Sequence, residues 1–179
     1  RCGGLDIIVA NAGIFKSGES IDVLGDSWDR HMAINLTATQ RFFKYAIPYL
    51  KLGIDASIIV IGSRNATAPG AGAAAYSVSK AGVTQLARVA ALELAPHGVR
   101  VNILHPDAVF DTELWTQEAL EKSAARYGMT VEAYKTKNLL RREIKSTDIA
   151  SLVSTVAGPA FIATTGAQIP VDGGSDRVI

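Results

Sequence analysis

The sequence predicts an α/β fold built on a parallel sheet, and two observations carry that prediction. Short apolar runs of strand length recur at residues 5–10, Ser57–Ile61, 99–104 and Gln168–Val171. The second of them is Ser57-Ile58-Ile59-Val60-Ile61, apolar after its first residue, the pattern of a strand buried on both faces. Stretches of helical length separate these runs. Strand–helix alternation is the mark of parallel strands joined by crossover helices.

Each element has its own local reason. After the strand at 5–10, a helix is expected over about 27–50. Its aromatics Trp28, Phe42, Phe43, Tyr45 and Tyr49 fall at helical spacing, which reports core or interface rather than a ligand cage. Ser57–Ile61 follows as a strand, which places the hydroxyl of Ser63 at the carboxyl edge of the sheet. A helix over about 75–95 then stops at Gly98, behind Ala95-Pro96-His97. Its alanines Ala87, Ala90, Ala91 and Ala95 permit close approach, either of another helix or of the sheet. The run 99–104 is the next strand. An irregular helical segment spans 112–140, Ser146-Thr147-Asp148 caps a helix over Ser146–Ala157, and Gln168–Val171 is the last strand.

Tyr76 and Lys80 stand four residues apart in Tyr76-Ser77-Val78-Ser79-Lys80, thirteen residues after Ser63. On a helix, i and i+4 share a face, so a phenol and an ammonium there approach one point. A cation about 4 Å from a phenol, at an effective dielectric of ~20, contributes up to roughly 4 kcal/mol, enough to draw a tyrosine pKa of ~10 down by about three units. Ligands of open α/β sheets bind at the carboxyl edge, where Ser63 can donate to a carbonyl oxygen while Tyr76 moves a proton.

With Asn11-Ala12-Gly13 after the first strand and Asn35 in the following helix, these residues make the chain resemble the short-chain dehydrogenase/reductase family over nearly all of its 179 residues. The resemblance implies a Rossmann-type doubly wound parallel sheet. It implies that Tyr76 is the general acid/base, that Lys80 lowers its pKa and holds the nicotinamide ribose, that Ser63 orients the substrate oxygen and that Asn35 anchors a water of the proton relay. Asn11, Ala12 and Gly13 are then cofactor neighbours, as are Tyr76, Lys80, Pro106 and Val109. The resemblance further implies NAD as cofactor, with NADP as the alternative, and as partners a small-molecule substrate and further copies of the chain in a homodimer or homotetramer. More narrowly, His105-Pro106-Asp107-Ala108-Val109-Phe110, Leu114-Trp115 and Arg64-Asn65 resemble the dehydrogenase module of bifunctional rhamnulose-phosphate aldolase/lactaldehyde dehydrogenases.

A dinucleotide fold also needs a first strand and a glycine-rich turn. Neither is found before the run at 5–10, which the family places as its fourth strand. Residues 1–179 are therefore expected to be a single partial domain, truncated to its C-terminal strands. Roughly 80 residues of a βα-repeated fold would be missing, leaving 5–10 as an unpaired apolar edge. The segment 112–140 takes the place of the substrate lid within that domain. Where the family has Pro-Gly and a later Thr, this chain has Pro106-Asp107 and Asp111, which puts the usual carboxamide contact in doubt and leaves backbone groups of Val109. Arg64, Asn65, Asp107 and Trp115 are the candidate substrate contacts, and they suit a short polar hydroxyaldehyde or sugar-derived substrate. A 3-oxoacyl carrier-protein reductase is the rival enzyme. A non-catalytic binding module or an inactive fragment is the rival of another class.

Composition narrows the remaining classes. Eighteen basic and seventeen acidic residues leave a near-neutral surface with no nucleic-acid patch; the dense group Arg141-Arg142-Glu143-Ile144-Lys145 reads as a solvated face. No apolar run approaches the roughly 18 residues that span a bilayer. Cys2, the sole cysteine, excludes an internal disulfide and suits a cytoplasmic protein. His31, His97 and His105 are too scattered to imply a metal site, and Ile61-Gly62-Ser63-Arg64-Asn65 lacks the second glycine of a hydrolase elbow.

Overall fold

A computed structural model describes residues 3–175 except 17, 19, 20 and 24, so that Cys2 lies outside the described residues. Four strands, β1 (Ile7–Ala10), β2 (Ser57–Ile61), β3 (Arg100–Pro106) and β4 (Gln168–Val171), form one parallel sheet in the order β1-β2-β3-β4. Register is fixed by pairs such as Ile8 with Ile58, Val60 with Ile103 and Leu104 with Ile169. The alternation of side chains sends Ile8, Ile58, Val60, Val101 and Ile103 to one face, where they meet Phe43, Leu50, Val83, Ala87 and Leu94. Ile59 and Leu104 point the other way, onto Val156 of a helix on the opposite face. Helices on both faces make the sheet doubly wound, as the sequence predicts.

Between β1 and β2 the expected helix runs as three segments: α1 (Gly25–His31), a π-helical turn (Met32–Thr37) and α2 (Ala38–Leu50). A π-turn inside an α-helix recurs at functional sites, and this one carries Asn35. Phe43 is buried, but Trp28, Phe42, Tyr45 and Tyr49 are not, so the aromatics of this helix are largely outside the core. α3 (Ala74–Leu94) is the long central helix. Its Ala87, Ala90 and Ala91 are buried against the sheet, so these small side chains serve helix-on-sheet packing, while Ala95 is exposed.

β3 runs two residues past the expected strand, to Pro106. The segment after it holds two short helices, α4 (Gln117–Arg126) and α5 (Val131–Lys135). They share a separate small core in which Phe110, Leu120, Ala124 and Tyr134 are buried and Trp115 packs alongside. α6 (Ser146–Ala157) is capped differently from expectation. The backbone N–H of Lys145 donates to Asp148 Oδ2 at 3.0 Å, and Asp111, from 35 residues away, accepts from the Ser146 N–H at 2.8 Å and from its hydroxyl at 2.7 Å. Asp111 is thus occupied as a helix cap. On the outer side of the sheet, β1 leaves Ile7 and Val9 exposed.

Candidate active site

The carboxyl ends of β1, β2 and β3 open into a cavity of about 940 Å³. Ser63, Tyr76 and Lys80 all line it, with Asn11, Gly13, Arg64, Asn65, Pro106, Asp107, Val109 and Trp115. The structure therefore brings together most of the predicted site. Ala12 is not in the lining, although its neighbours are, and Asn35 lies behind the wall, 1 % exposed.

Ser63 follows β2 directly, and its Oγ accepts the N–H of Asn65 at 3.1 Å as the cap of a single 3-10 turn. Behind it, Nδ1 of the buried His105 lies 3.3 Å from the Ser63 backbone nitrogen and 3.0 Å from its carbonyl oxygen, while His105 Nε2 lies 3.3 Å from Gln168 Oε1. Gly62 is required there, since a Cβ would fall 2.7 Å from His105 Nδ1. His105 thus packs against the backbone that presents Ser63.

Tyr76 and Lys80 lie on the first turns of α3, as the four-residue spacing predicts. Their electrostatics differ from the expectation. Burial pushes the Tyr76 phenol above its ordinary value, and a hydrogen bond with Ser63 offsets this only in part. Burial also lowers Lys80 to about 8. The reason the ammonium does not dominate is geometric. Lys80 Nζ donates to the carbonyl of Ile61 at 2.8 Å and stands 5.9 Å from the Tyr76 ring centroid, so its charge is anchored to β2 and partly spent there. A phenol in this state holds its proton near neutrality and is a donor.

Asn35 uses its whole amide. Oδ1 accepts from Ile14 N–H at 2.8 Å, and Nδ2 donates to Ile14 O at 3.0 Å and to Ser79 Oγ at 2.9 Å. The Ser79 hydroxyl in turn donates to the Tyr76 carbonyl at 2.7 Å. Asn35 therefore ties the segment after β1 to the helix that carries Tyr76. Ser79, one residue from Lys80 and fully buried, is a functional neighbour that the sequence reading passes over.

Arg64 Nε and Asp107 Oδ1 form an ion pair at 3.0 Å across the strand ends. Asn65 Oδ1 accepts from Gly70 N–H at 3.1 Å and lies 3.4 Å from the Ser77 hydroxyl, which closes the loop after Ser63. Trp115 packs tilted against Phe110 at 5.0 Å and Tyr134 at 6.1 Å between ring centroids. Thr112 donates its hydroxyl to the Val109 carbonyl at 2.9 Å. Among the described residues no cluster of His, Cys, Asp or Glu has metal-binding geometry, and no helix is long and apolar enough to cross a membrane.

A short-chain alcohol dehydrogenase family model, described as enoyl-(acyl carrier protein) reductase, matches residues 1–176. The chain is 33% identical over 175 residues to an uncharacterized NAD-dependent oxidoreductase of Mycobacterium tuberculosis, covering 97% of this chain and 63% of that protein. It is 34% identical to an uncharacterized oxidoreductase of Bacillus subtilis, covering 96% of this chain and 26% of that one. The chain thus spans less than two thirds of the length of these relatives. Among solved structures, the ligand-free aldohexose dehydrogenase of Thermoplasma acidophilum superposes with a TM-score of 0.86 at 30% identity, over 99% of this chain and 70% of that one.

Proposed function

Because the chain belongs to the short-chain dehydrogenase/reductase family, we propose that its cavity interconverts an alcohol and a carbonyl with a nicotinamide cofactor, NAD first and NADP as the alternative. One observation carries this reading: a buried phenol, a hydroxyl bonded to it and a buried ammonium converge on one cavity at the carboxyl edge of the sheet. Gly13 leaves the wall beside Lys80 without a side chain, where a Cβ would stand at ordinary contact distance from Asn35 Oδ1 (3.4 Å) and Lys80 Nζ (3.5 Å). Asn11, Gly13, Lys80, Pro106 and Val109 would hold the cofactor, which when bound supplies or accepts the hydride.

The chain's own residues handle the oxygen and the proton. Ser63 donates to the substrate oxygen, and Tyr76, kept protonated by burial, delivers its proton there as carbonyl becomes alcohol. Lys80 places positive charge beside the phenolate that remains. Asn35 and Ser79 hold the helix turn that presents Tyr76. Residues 112–140 form a lid over the substrate side.

For the substrate, we favour a short polar hydroxyaldehyde or sugar-derived compound. The Arg64–Asp107 pair beside Ser63 and the Trp115 ring give a wall that is polar and aromatic. A place for this domain within a bifunctional aldolase/dehydrogenase rests on the likeness of its motif at Pro106-Asp107-Ala108-Val109 alone. A 3-oxoacyl carrier-protein reductase is the competing reading, separated by a panel of hydroxyaldehydes, aldoses and acyl thioesters.

The deciding experiment is a fluorescence titration of the complete protein and its Tyr76→Phe variant with NADH and NADPH, followed by turnover on that panel. The phenylalanine variant is expected to bind cofactor as wild type does and to lose turnover by at least about a hundredfold. Turnover retained in the variant removes Tyr76 from the proposed role, and failure of the wild type to bind either cofactor leaves the binding-module reading.

A further inference from the structure

His31, the last residue of α1, is 1 % exposed, and both of its ring nitrogens are committed. Nδ1 lies 2.7 Å from the carbonyl of Ser27, which can only accept, so Nδ1 carries the hydrogen. Nε2 lies 3.2 Å from the backbone nitrogen of Lys16, which can only donate, so Nε2 presents its lone pair. The partners thus fix both the tautomer and the neutral charge state. The Ser27 hydroxyl, 3.4 Å from Nδ1, is compatible with that assignment.

What this imidazole holds matters for the site. Lys16 ends the stretch whose Ile14 is already gripped by Asn35. Between the two anchors, Phe15 meets the Tyr76 ring edge-on at 4.8 Å. The His31 ring approaches the same phenol ring at 6.3 Å, also edge-on. Tyr76 is therefore flanked by Phe15 and His31, and His31 holds the far end of the Phe15 segment.

We propose that His31 is a positioning residue for Tyr76, acting as a neutral hydrogen-bond acceptor that clamps the Phe15 segment against the phenol. Protonation of Nε2 would set a hydrogen against the Lys16 N–H and break the clamp. The groups facing the imidazole are Ser27 on its own helix, the Lys16 backbone on the loop and Tyr76 on α3. Lys80 lies next to Tyr76, and among the described residues no carboxylate pairs with His31.

The test separates the two arms of the ring, and its kinetic part rests on the dehydrogenase reading above. His31→Gln can place an amide oxygen where Nε2 sits, keeping the acceptor for Lys16 without a titrating group. His31→Asn can keep the donor to Ser27 and loses the Lys16 arm. In the complete protein, Gln is expected to keep kcat within about twofold, whereas Asn lowers it by about ten- to a hundredfold with cofactor affinity little changed. Equal kcat in the Gln and Asn variants overturns the proposal. Nitrogen-15 NMR of the wild type decides the clamp without any substrate and without relying on a variant's folding. An unprotonated Nε2 with a slowly exchanging Lys16 amide is expected at neutral pH, and a proton found on Nε2 there overturns the proposal. Absence of turnover in the wild type itself would count against the dehydrogenase reading and leave this NMR result to stand on its own.

Discussion

Lys80 is the residue whose chemistry and energetics conflict most openly. It lines the cavity as an ammonium, yet burial brings its pKa from 10.5 to about 8. The sign follows from linkage. Between about pH 8 and 10.5 the unfolded chain binds the proton that the folded chain has released, so stability rises with pH across that window and the full penalty is present below it. At 1.36 kcal/mol per pKa unit the penalty is roughly 3 kcal/mol. The variant Lys80→Met lacks it. Urea unfolding at pH 7 and at pH 10 is expected to show the variant gaining on wild type at pH 7 and losing most of that advantage at pH 10. A pH-independent cost of about 1 kcal/mol for the lost bond to the Ile61 carbonyl lies beneath the trend. Tyr76, whose phenol titrates at about 10 in the unfolded chain and higher in the fold, contributes an opposite trend in both proteins, so the comparison is read as the difference between them. A difference between variant and wild type that is flat with pH would show that Lys80 is charged in the fold at no cost.

At the scale of elements, the ends of α6 are held from a distance. Arg100, buried on β3, donates through Nη1 to the carbonyls of Val156 and Phe161 at 3.0 and 3.1 Å, and through Nη2 to that of Ala157 at 2.8 Å. A cation at a helix C-terminus meets both the unpaired carbonyls and the negative end of the helix dipole. Arg100→Met should leave those carbonyls unsatisfied at a cost of about 2–3 kcal/mol, a fall in melting temperature of roughly 4–12 °C for a chain of this size. A thermal melt within a degree of wild type would show that water replaces the guanidinium without loss. Such long-range pairings also mark the limit of what the sequence discloses. β2 was legible because a strand buried on both faces is written in consecutive apolar residues, and β1, β3 and β4 because apolar runs of strand length alternate with stretches of helical length. Ser63, Tyr76 and Lys80 were legible because one helix turn and one strand end place them. Asp111 capping α6 across 35 residues, Arg64 meeting Asp107 across 43 and His31 meeting Lys16 leave no local periodicity to read. The π-turn at Met32–Thr37 was hidden for a related reason: it keeps the helical pattern of side chains while changing which backbone groups pair.

For the molecule as a whole, the helices between the strands present more apolar surface than one chain covers. On α2, Phe42, Tyr45 and Tyr49 fall at i, i+3 and i+7, one stripe, and the last two are 69% and 59% exposed. On α3, Val78, Val89 and Leu92 face outward, with Leu92 at 78%. Of the alanines that suggested an interface from the sequence, Ala87, Ala90 and Ala91 are consumed by the sheet, which leaves these larger side chains as the apolar surface on offer. Surface of this kind on helices that also carry the site favours self-association. The expected result is a dimer or tetramer in sedimentation of the complete protein, which the double variant Tyr45→Glu, Tyr49→Glu shifts toward monomer while its circular dichroism stays unchanged. A helical stripe that buries little in one chain should tolerate charge in the monomer, so loss of helicity in the double variant would place these tyrosines in the fold of the single chain. A wild-type monomer at micromolar concentration would mean that the stripe is covered by something other than a second copy.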